Sequence, residues 1–421
     1  MTHIEAFTRD VIERAQFSVE PMDLARSSAW AFRDGSIRHS SGRFFSVVGA
    51  AQESLGIEQP LIEQREVGTL GFLVDTVGRP RILVHAKVEP GNVGIAQLAP
   101  TCQATASNAA QVHGGAAPPY LDEFYSRRTL PSTSSLQSEQ GTRFLEKHNR
   151  NVIVEARRPP LAGPDHTWLE VDELLELSRN DFLLNTDARS VLVSSDWRSL
   201  VQRQPFTRAR DELSRELATS MQRDDATAPV RVRMTRARNS TMPARTVPLD
   251  ALPGWRVTAS GVEARDGASF DVRHISVVAA NREVPRWDQP IIDSRSDGSV
   301  QLWCARRNGS LEFLFRAVHE IGLRSLIELS ATNITAPGDE SRDHLVPPPG
   351  SVVVASTRES DEGGRFFHDI SRYELLDVGE VFEAPESFEW LSVGDIHRLL
   401  REGSWFTNEA RSALSLLLDR L

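Results

Sequence analysis

A cation and a carboxylate two positions apart, Lys87 and Glu89, are the residues of this sequence best suited to chemistry. They lie at the end of a predicted strand, where side chains two positions apart share a face, and Pro90-Gly91-Asn92 then turns the chain. The ammonium and the carboxylate would therefore lie side by side. The alternative interpretation is a surface ion pair, which contributes little to stability.

Amide and hydroxyl side chains accompany this pair. Gln64 and Glu66 have the same two-residue spacing, and the segment 100–108 holds Gln103 and Asn108 with almost no bulky apolar residue. Such a segment would make a poor core, whereas its polar groups suit a wall that binds a polyol.

Lysine is rare in this chain. Of the 48 Lys and Arg residues, two are lysines, Lys87 and Lys147. Because an ammonium is compact and can change its protonation state when desolvated, each lysine is a candidate for a site where a guanidinium cannot substitute. Chance, in a sequence biased toward arginine, is the rival interpretation.

Charge and composition exclude several classes of function. The net charge of -10 argues against binding to nucleic acid or to an anionic membrane, since both require a basic surface. We find no apolar run long enough to span a membrane and no secretory signal, so we expect a cytoplasmic protein. Two cysteines, Cys102 and Cys304, exclude a disulfide scaffold and a cysteine-based zinc site.

Motifs for cofactor chemistry are missing. The sequence contains no GxGxxG after a strand, no GxxxxGK[ST], no HExxH and no GxSxG. His319-Glu320 lacks a second histidine four residues on, and we interpret it as structural. We therefore predict no cofactor and no metal.

An internal duplication organises the chain. Gln59-Pro60-Leu61-Ile62 recurs as Gln289-Pro290-Ile291-Ile292, a displacement of 230, and the run 138–144 recurs as 360–366, a displacement of 222. The displacement is 231 at 86–91, so the first half carries nine extra residues before 138, and this insertion falls within 106–135. A period above 200 residues indicates two duplicated domains rather than a solenoid. The predicted division is a first half at 1–222, a linker at 223–253 and a second half at 254–421.

Each half has the pattern of a sheet followed by helices. Runs rich in Leu, Val, Ile and Phe at 69–75 and 81–88 predict a hairpin, as do 299–306 and 310–317 around Asn308-Gly309. Apolar residues behind Ser392 follow helical spacing, and Ser392 with Asp395 forms a capping-box pattern. The predicted class is α+β, a mixed sheet with flanking helices in each half.

The two halves differ at the polar positions. Glu89 corresponds to Glu320, but Lys87 corresponds to Val318 and Gln103 to Ile334. A feature that the fold requires should persist in both copies, whereas a site needed once can decay in one. We therefore predict that the first half carries the chemistry.

Several runs resemble the NDP-hexose 2,3-dehydratases of deoxysugar biosynthesis, and the resemblance extends nearly from end to end. The runs are Gln64-Arg65-Glu66-Val67-Gly68, Ala86-Lys87-Val88-Glu89-Pro90-Gly91-Asn92, Gln103-Ala104-Thr105 with Ser107-Asn108, Ser138-Glu139-Gln140-Gly141 and Trp287-Asp288-Gln289-Pro290. The resemblance implies a homodimer of chains with two Nudix-like halves. It also implies a dTDP-linked 4-keto-6-deoxyhexose as substrate, and a 3-ketoreductase that uses the product.

The implied reaction removes the C3 proton, which the 4-keto group makes acidic, and expels the C2 hydroxyl. It requires a base, a donor to the C4 oxygen and an acid at the leaving hydroxyl. We assign Glu89 as base or acid, Lys87 as the stabiliser of the enolate and His113 as a proton donor. The expected binding residues for the sugar and the diphosphate are Gln64, Gln103, Asn108, Arg43, Arg143 and Arg150.

The residues alone leave two other classes of protein as alternatives. A Nudix-like hydrolase would need a glutamate-rich helix for Mg²⁺, and we find none in the sequence. A noncatalytic partner that binds nucleotide sugars would not need Lys87, Glu89, Gln103 and Asn108 together in one half. The residues favour an enzyme.

Overall fold

The computed structural model describes residues 2–105, 116–125, 131–208, 211–265, 270–282, 284–335, 344–380 and 382–421. Within these ranges the chain is a mixed α+β protein, in which four sheets are packed with helices. The predicted α+β class is confirmed. None of the helices in these ranges combines the length and the apolar composition needed to cross a membrane.

The strands are numbered in chain order. The first half contains β1 (Ser18–Pro21), β2 (Trp30–Arg33), β3 (Ser36–His39), β4 (Ser46–Gln52), β5 (Ile57–Glu63), β6 (Gly68–Asp75), β7 (Arg81–Val88), β8 (Ala96–Ala99), β9 (Cys102–Ala104), β10 (Pro131–Ser138), β11 (Phe144–Leu145), β12 (His148–Glu155) and β13 (His166–Glu170). The second half contains β14 (Arg245–Val247), β15 (Trp255–Val257), β16 (Gly261–Ala264), β17 (Phe270–Val278), β18 (Arg286–Ser294), β19 (Gly298–Arg307), β20 (Ser310–His319), β21 (Ile327–Ser330), β22 (Asn333–Thr335), β23 (Val352–Ser360), β24 (Ile370–Glu380) and β25 (Phe388–Ser392).

The described α-helices follow the same numbering. They are α1 (His3–Ala15), α2 (Leu121–Tyr125), α3 (Val171–Leu177), α4 (Thr186–Val193), α5 (Trp197–Val201), α6 (Glu212–Ser220), α7 (Thr227–Asn239), α8 (Val393–Glu402) and α9 (Asn408–Leu414). Short 3₁₀ helices occupy Leu24–Arg26, Leu249–Ala251 and Ser415–Arg420.

Two seven-stranded sheets have the same strand order, one in each half. The first is β10-β12-β6-β7-β13 with β8 on β7 and β9 on β6, and the second is β23-β24-β19-β20-β25 with β21 on β20 and β22 on β19. Each contains one parallel pair, β12 with β6 and β24 with β19. The shared topology matches the two-half organisation that the repeated sequence predicts.

The other two sheets exchange a strand between the halves. Strands β2 to β5 form the body of one sheet, and β15 to β18 form the body of the other. Strand β1 pairs with β17 of the second half, whereas β14 pairs with β4 of the first half. We call this arrangement the reciprocal strand exchange. It ties the two halves together by backbone hydrogen bonds at both sheets.

The segment 223–253, predicted as a linker, contains α7 and β14. These elements occupy the places in the second half that α1 and β1 occupy in the first. In α7 the buried apolar side chains are Val230 and Met234, which lie one turn apart. Two apolar positions are too few to give a visible helical period. The division at 222 and 253 stays a prediction.

One hydrophobic core spans both halves, with residues such as Phe72, Val84, Leu302 and Phe313 in a single cluster. The central hairpins predicted at 69–88 and 299–317 are present as β6 with β7 and β19 with β20. The Ser392 capping box also forms at the start of α8.

Two glycines lie at the junction between the halves. The Gly91 amide donates to the Gly363 carbonyl at 2.8 Å, and the Gly322 amide donates to the Gly141 carbonyl at 2.7 Å. A methyl group at Gly91 would overlap the Phe366 carbonyl oxygen, and one at Gly322 would overlap that of Phe144. Glycine is required here because the two backbones approach so closely.

Candidate active site

A cavity of about 520 Å³ lies where the first-half sheets meet the second half, and its size is that of a small-molecule site. Strands β6, β7, β9 and β12 and the segments after β9 and β10 supply the first-half wall. The polar and charged side chains from this half are His39, Ser41, Gln64, Lys87, Glu89, Gln103, Thr105, Glu139, Lys147, Asn149 and Asp187. Those from the second half are Arg282, Arg286, Asp288, Gln289, Glu362 and Arg365.

Lys87, near the end of β7, and Glu89, the first residue after β7, form a buried ion pair, as their spacing predicts. Arg282 of the second half also binds Glu89, with 2.9 Å between Nη1 and Oε1, and donates to the Val88 carbonyl at 2.9 Å. Burial alone would raise the pKa of Glu89, but the charges of Arg282 and Lys87 lower it to about 2. Glu89 is thus held ionised between two cations.

Glu139 and Lys147 enter the cavity from the linked ends of β10 and β12. The Glu139 amide donates to the Lys147 carbonyl at 3.0 Å, and the Asn149 amide group donates to the Glu139 carboxylate. Burial raises the pKa of Glu139 to about 7, and the charge of Glu362 adds to that effect. Burial lowers the pKa of Lys147 to about 8, and its ammonium donates to the Glu66 carbonyl at 2.7 Å.

Asp187 is the third carboxyl group that the first half supplies to the cavity. It lies in the first turn of α4, and its Oδ2 accepts from the Gln103 amide. Burial and the nearby carboxylates Glu139 and Glu362 raise its pKa well above the ordinary value. Asp187 therefore favours its protonated form, whereas Glu89 favours its ionised form. Among the described residues, no group of three His, Cys, Asp or Glu side chains is arranged to hold a metal.

Aromatic side chains form the opposite wall. The rings of Trp30 and Phe45 lie 4.8 Å apart, His39 contacts both Trp30 and Phe44, and Trp287 comes from the second half. Such rings offer flat apolar faces beside polar edges, which suits a nucleobase or a sugar face.

Arg365 brings a cation to this wall. Its guanidinium lies 4.1 Å from the Phe45 ring centre, and Nη2 is 3.4 Å from the Gln64 Oε1. Gln64 in turn donates to Glu66 at 2.9 Å. The second half therefore supplies a positive charge to this wall.

The structure brings four of the predicted site residues together: Lys87, Glu89, Gln64 and Gln103. The other described candidates lie elsewhere. Arg43 is exposed in a shallow groove beside the cavity, Arg143 packs 4.1 Å from the Phe270 ring centre, and Arg150 donates to the Phe124 carbonyl at 3.1 Å. His113 and Asn108 lie outside the described residues.

The charged residues of the cavity differ in whether their counterparts in the other half are also charged. Glu89, Glu139 and Asp187 correspond to Glu320, Asp361 and Glu409, so all three carboxyl groups persist. The cations do not persist. Lys87, Lys147 and Arg282 correspond to Val318, Asp369 and Gln52. Lysine rarity was thus the useful signal, and both lysines line the cavity.

Comparison with known proteins agrees with this geometry. The family model described as NDP-hexose 2,3-dehydratase matches residues 1–194 and 231–417. Relatives named dTDP-4-dehydro-6-deoxy-alpha-D-glucopyranose 2,3-dehydratase occur in Saccharopolyspora spinosa, Streptomyces violaceoruber and Amycolatopsis orientalis. Their identities to this chain are 33%, 34% and 31%, over 99%, 90% and 95% of this chain and 91%, 88% and 86% of their own lengths. The chain belongs to the NDP-hexose 2,3-dehydratase family.

Proposed function

We propose that this chain is a hydro-lyase that removes water across C2 and C3 of a dTDP-linked 4-keto-6-deoxyglucose. The observation that carries the proposal is the meeting of both lysines of the chain with three buried or partly buried carboxyl groups of the first half in one cavity. Family membership and the names of the relatives supply the substrate. The product is a 3,4-diketo-2,6-dideoxyhexose still attached to dTDP.

Cations and rings divide the cavity into parts that fit such a substrate. Arg282, Arg286 and Arg365 lie on the second-half side, where guanidinium groups can bind a diphosphate in bidentate fashion. Trp30 and Trp287 offer faces to the thymine or the sugar. Arg43, at the rim of the cavity, stays a proposed ligand of the diphosphate. Arg143 and Arg150 also stay proposed diphosphate ligands, although neither lines the cavity.

The first-half polar groups perform the chemistry. Lys87 donates to the C4 oxygen and stabilises the enolate that forms when C3 loses its proton. Glu89, with its pKa near 2, is a weak base in the unliganded protein. We infer that it holds Lys87 and Arg282 in place, and Gln64 and Gln103 hold sugar hydroxyl groups. His113 and Asn108 remain predicted as proton donor and sugar ligand.

The proposal extends to architecture and partners. Each half is proposed to be Nudix-like, in keeping with its mixed sheet and flanking helices. The chain is proposed to form a homodimer and to deliver its reactive diketone to a 3-ketoreductase.

Incubation of the purified protein with dTDP-4-keto-6-deoxyglucose tests the proposal. We expect the substrate to lose water, which lowers its mass by 18 units. A trapping 3-ketoreductase with NADPH should then reduce this product to a 2,6-dideoxy nucleotide sugar. Release of thymidine monophosphate would instead indicate a hydrolase. Binding of the nucleotide sugar without any change in its mass would indicate a noncatalytic partner.

A further inference from the structure

We propose that Glu139 removes the C3 proton of the substrate and returns a proton to the departing C2 hydroxyl group. This assignment rests on the proposed function and adds to it a residue that the sequence did not single out.

Position and contacts support Glu139. It follows the last residue of β10, and its amide hydrogen bond to the Lys147 carbonyl extends the β10–β12 ladder by one residue into the cavity. The bond from Asn149 to Oε1 fixes the carboxylate and leaves its second oxygen for a ligand. Lys147 places a positive charge in the same cavity.

The other two first-half carboxyl groups are less suited to this role. Lys87 and Arg282 both bind Glu89 through Oε1 and lower its pKa to about 2, which makes its carboxylate a weak base. Asp187 is bonded to Gln103, and burial keeps its proton in place. Glu139, with a pKa of about 7, has both of its protonation states available near neutral pH.

The reaction balances with Glu139 as the single proton carrier. The C3–H bond breaks, the proton goes to the Glu139 carboxylate, and the electron pair moves into an enolate with its charge on O4. The C4 carbonyl then re-forms, C2 and C3 become doubly bonded, and the C2–O bond breaks with its electron pair. The departing oxygen takes the proton from Glu139 and leaves as water. The remaining enol tautomerises to the diketone without net oxidation or reduction.

Glu139→Gln tests the proposal, because the amide keeps the acceptor for Asn149 but cannot take the proton. We expect kcat to fall by about 100-fold or more, with KM changed by less than about threefold. Deuterium incorporation at C3 of unreacted substrate in D₂O should fall to the same extent. In the wild-type protein, kcat/KM should decrease as the pH falls below about 7, and the variant should lose this dependence.

Asp361→Asn is the matched control, since Asp361 is the counterpart of Glu139 in the second half, and kcat should stay within about twofold. Retained C3 exchange in Glu139→Gln, or a kcat within about threefold of wild type, would overturn the assignment.

If Glu139→Gln does not fold, as judged by dTDP binding and the unfolding midpoint, Glu139→Asp replaces it. That variant should lose kcat by shortened reach yet keep the pH dependence, and full activity would overturn the proposal. Absence of dehydration by the wild-type protein would instead refute the proposed function, and this assignment with it.

Discussion

Lys87 is the residue at which charge and shape can be tested separately. If its ammonium stabilises the enolate, Lys87→Met should lower kcat by about 100-fold or more and change substrate affinity much less, because the O4 charge exists only beyond the ground state. Lys87→Arg should also fail, since a planar guanidinium cannot donate from one compact point. Kinetics at saturating substrate check both. Near-full turnover of Lys87→Arg would show that any cation suffices at this position, which would contradict the specific role of the ammonium.

Glu89 and Glu320 test whether the two halves share the chemistry. Glu89→Gln removes the anion that holds Lys87 and Arg282, and we expect kcat to fall by about 10- to 100-fold. Glu320→Gln should change kcat by less than about twofold, because burial keeps the pKa of Glu320 high and the amide resembles the neutral acid. Steady-state kinetics of the two variants decide the matter, and equal losses would contradict a first-half centre.

Residue types predicted part of this site. Lys87, Glu89, Gln64 and Gln103 were identified because each lies near a rare lysine or in a polar run. Glu139 was missed because its counterpart Asp361 is also acidic, so comparing the halves for lost polar groups hides it. Arg282 and Arg365 were missed because they come from the other half, and no local pattern relates positions some 200 residues apart.

The junction loops after β7 and β20 have no space for one added methyl group. Gly91→Ala and Gly322→Ala should each lower the free energy of unfolding by about 1–3 kcal/mol, because the methyl would overlap a carbonyl of the facing half. Gly91→Ala should also lower kcat, since the loop follows Glu89 directly. Gly254 has open space around it, so Gly254→Ala serves as the control. Thermal unfolding of the three variants checks this, and equal midpoints for all three would contradict the tight junction.

Elements with a strong local pattern were predictable. The two hairpins, and the α8 start at Ser392, depend on residues that lie close in sequence. The spacing of Leu414, Leu417, Leu418 and Leu421 predicts a C-terminal helix, and the structure ends α9 at Leu414 and continues as a 3₁₀ helix over Ser415–Arg420. The reciprocal strand exchange was not predictable, because β1 and β14 carry no mark of which sheet they join.

For the whole molecule, the buried acids of the second half predict how stability depends on pH. Burial and the neighbouring Asp369 hold the pKa of Asp361 well above its ordinary value. The unfolded chain therefore loses this proton at lower pH than the folded protein, so the contribution of Asp361 to stability falls as the pH rises above about 4. Asp361→Asn removes that effect. Its unfolding midpoint should match wild type near pH 4 and exceed it at pH 8, and a constant difference at all pH values would contradict the shift.

The reciprocal strand exchange also sets an order on synthesis. At about 5–20 residues per second, β1 leaves the ribosome on the order of 10–50 s before its partner β17, and β4 waits likewise for β14. During that interval the nascent first half leaves Gly49, Ala50 and Ala51 of β4 without their partner strand, and these are small residues. A chain that stalls before residue 245 would therefore present an open edge to other nascent chains. Pairing of β14 closes this edge and so protects the first half from edge-to-edge aggregation.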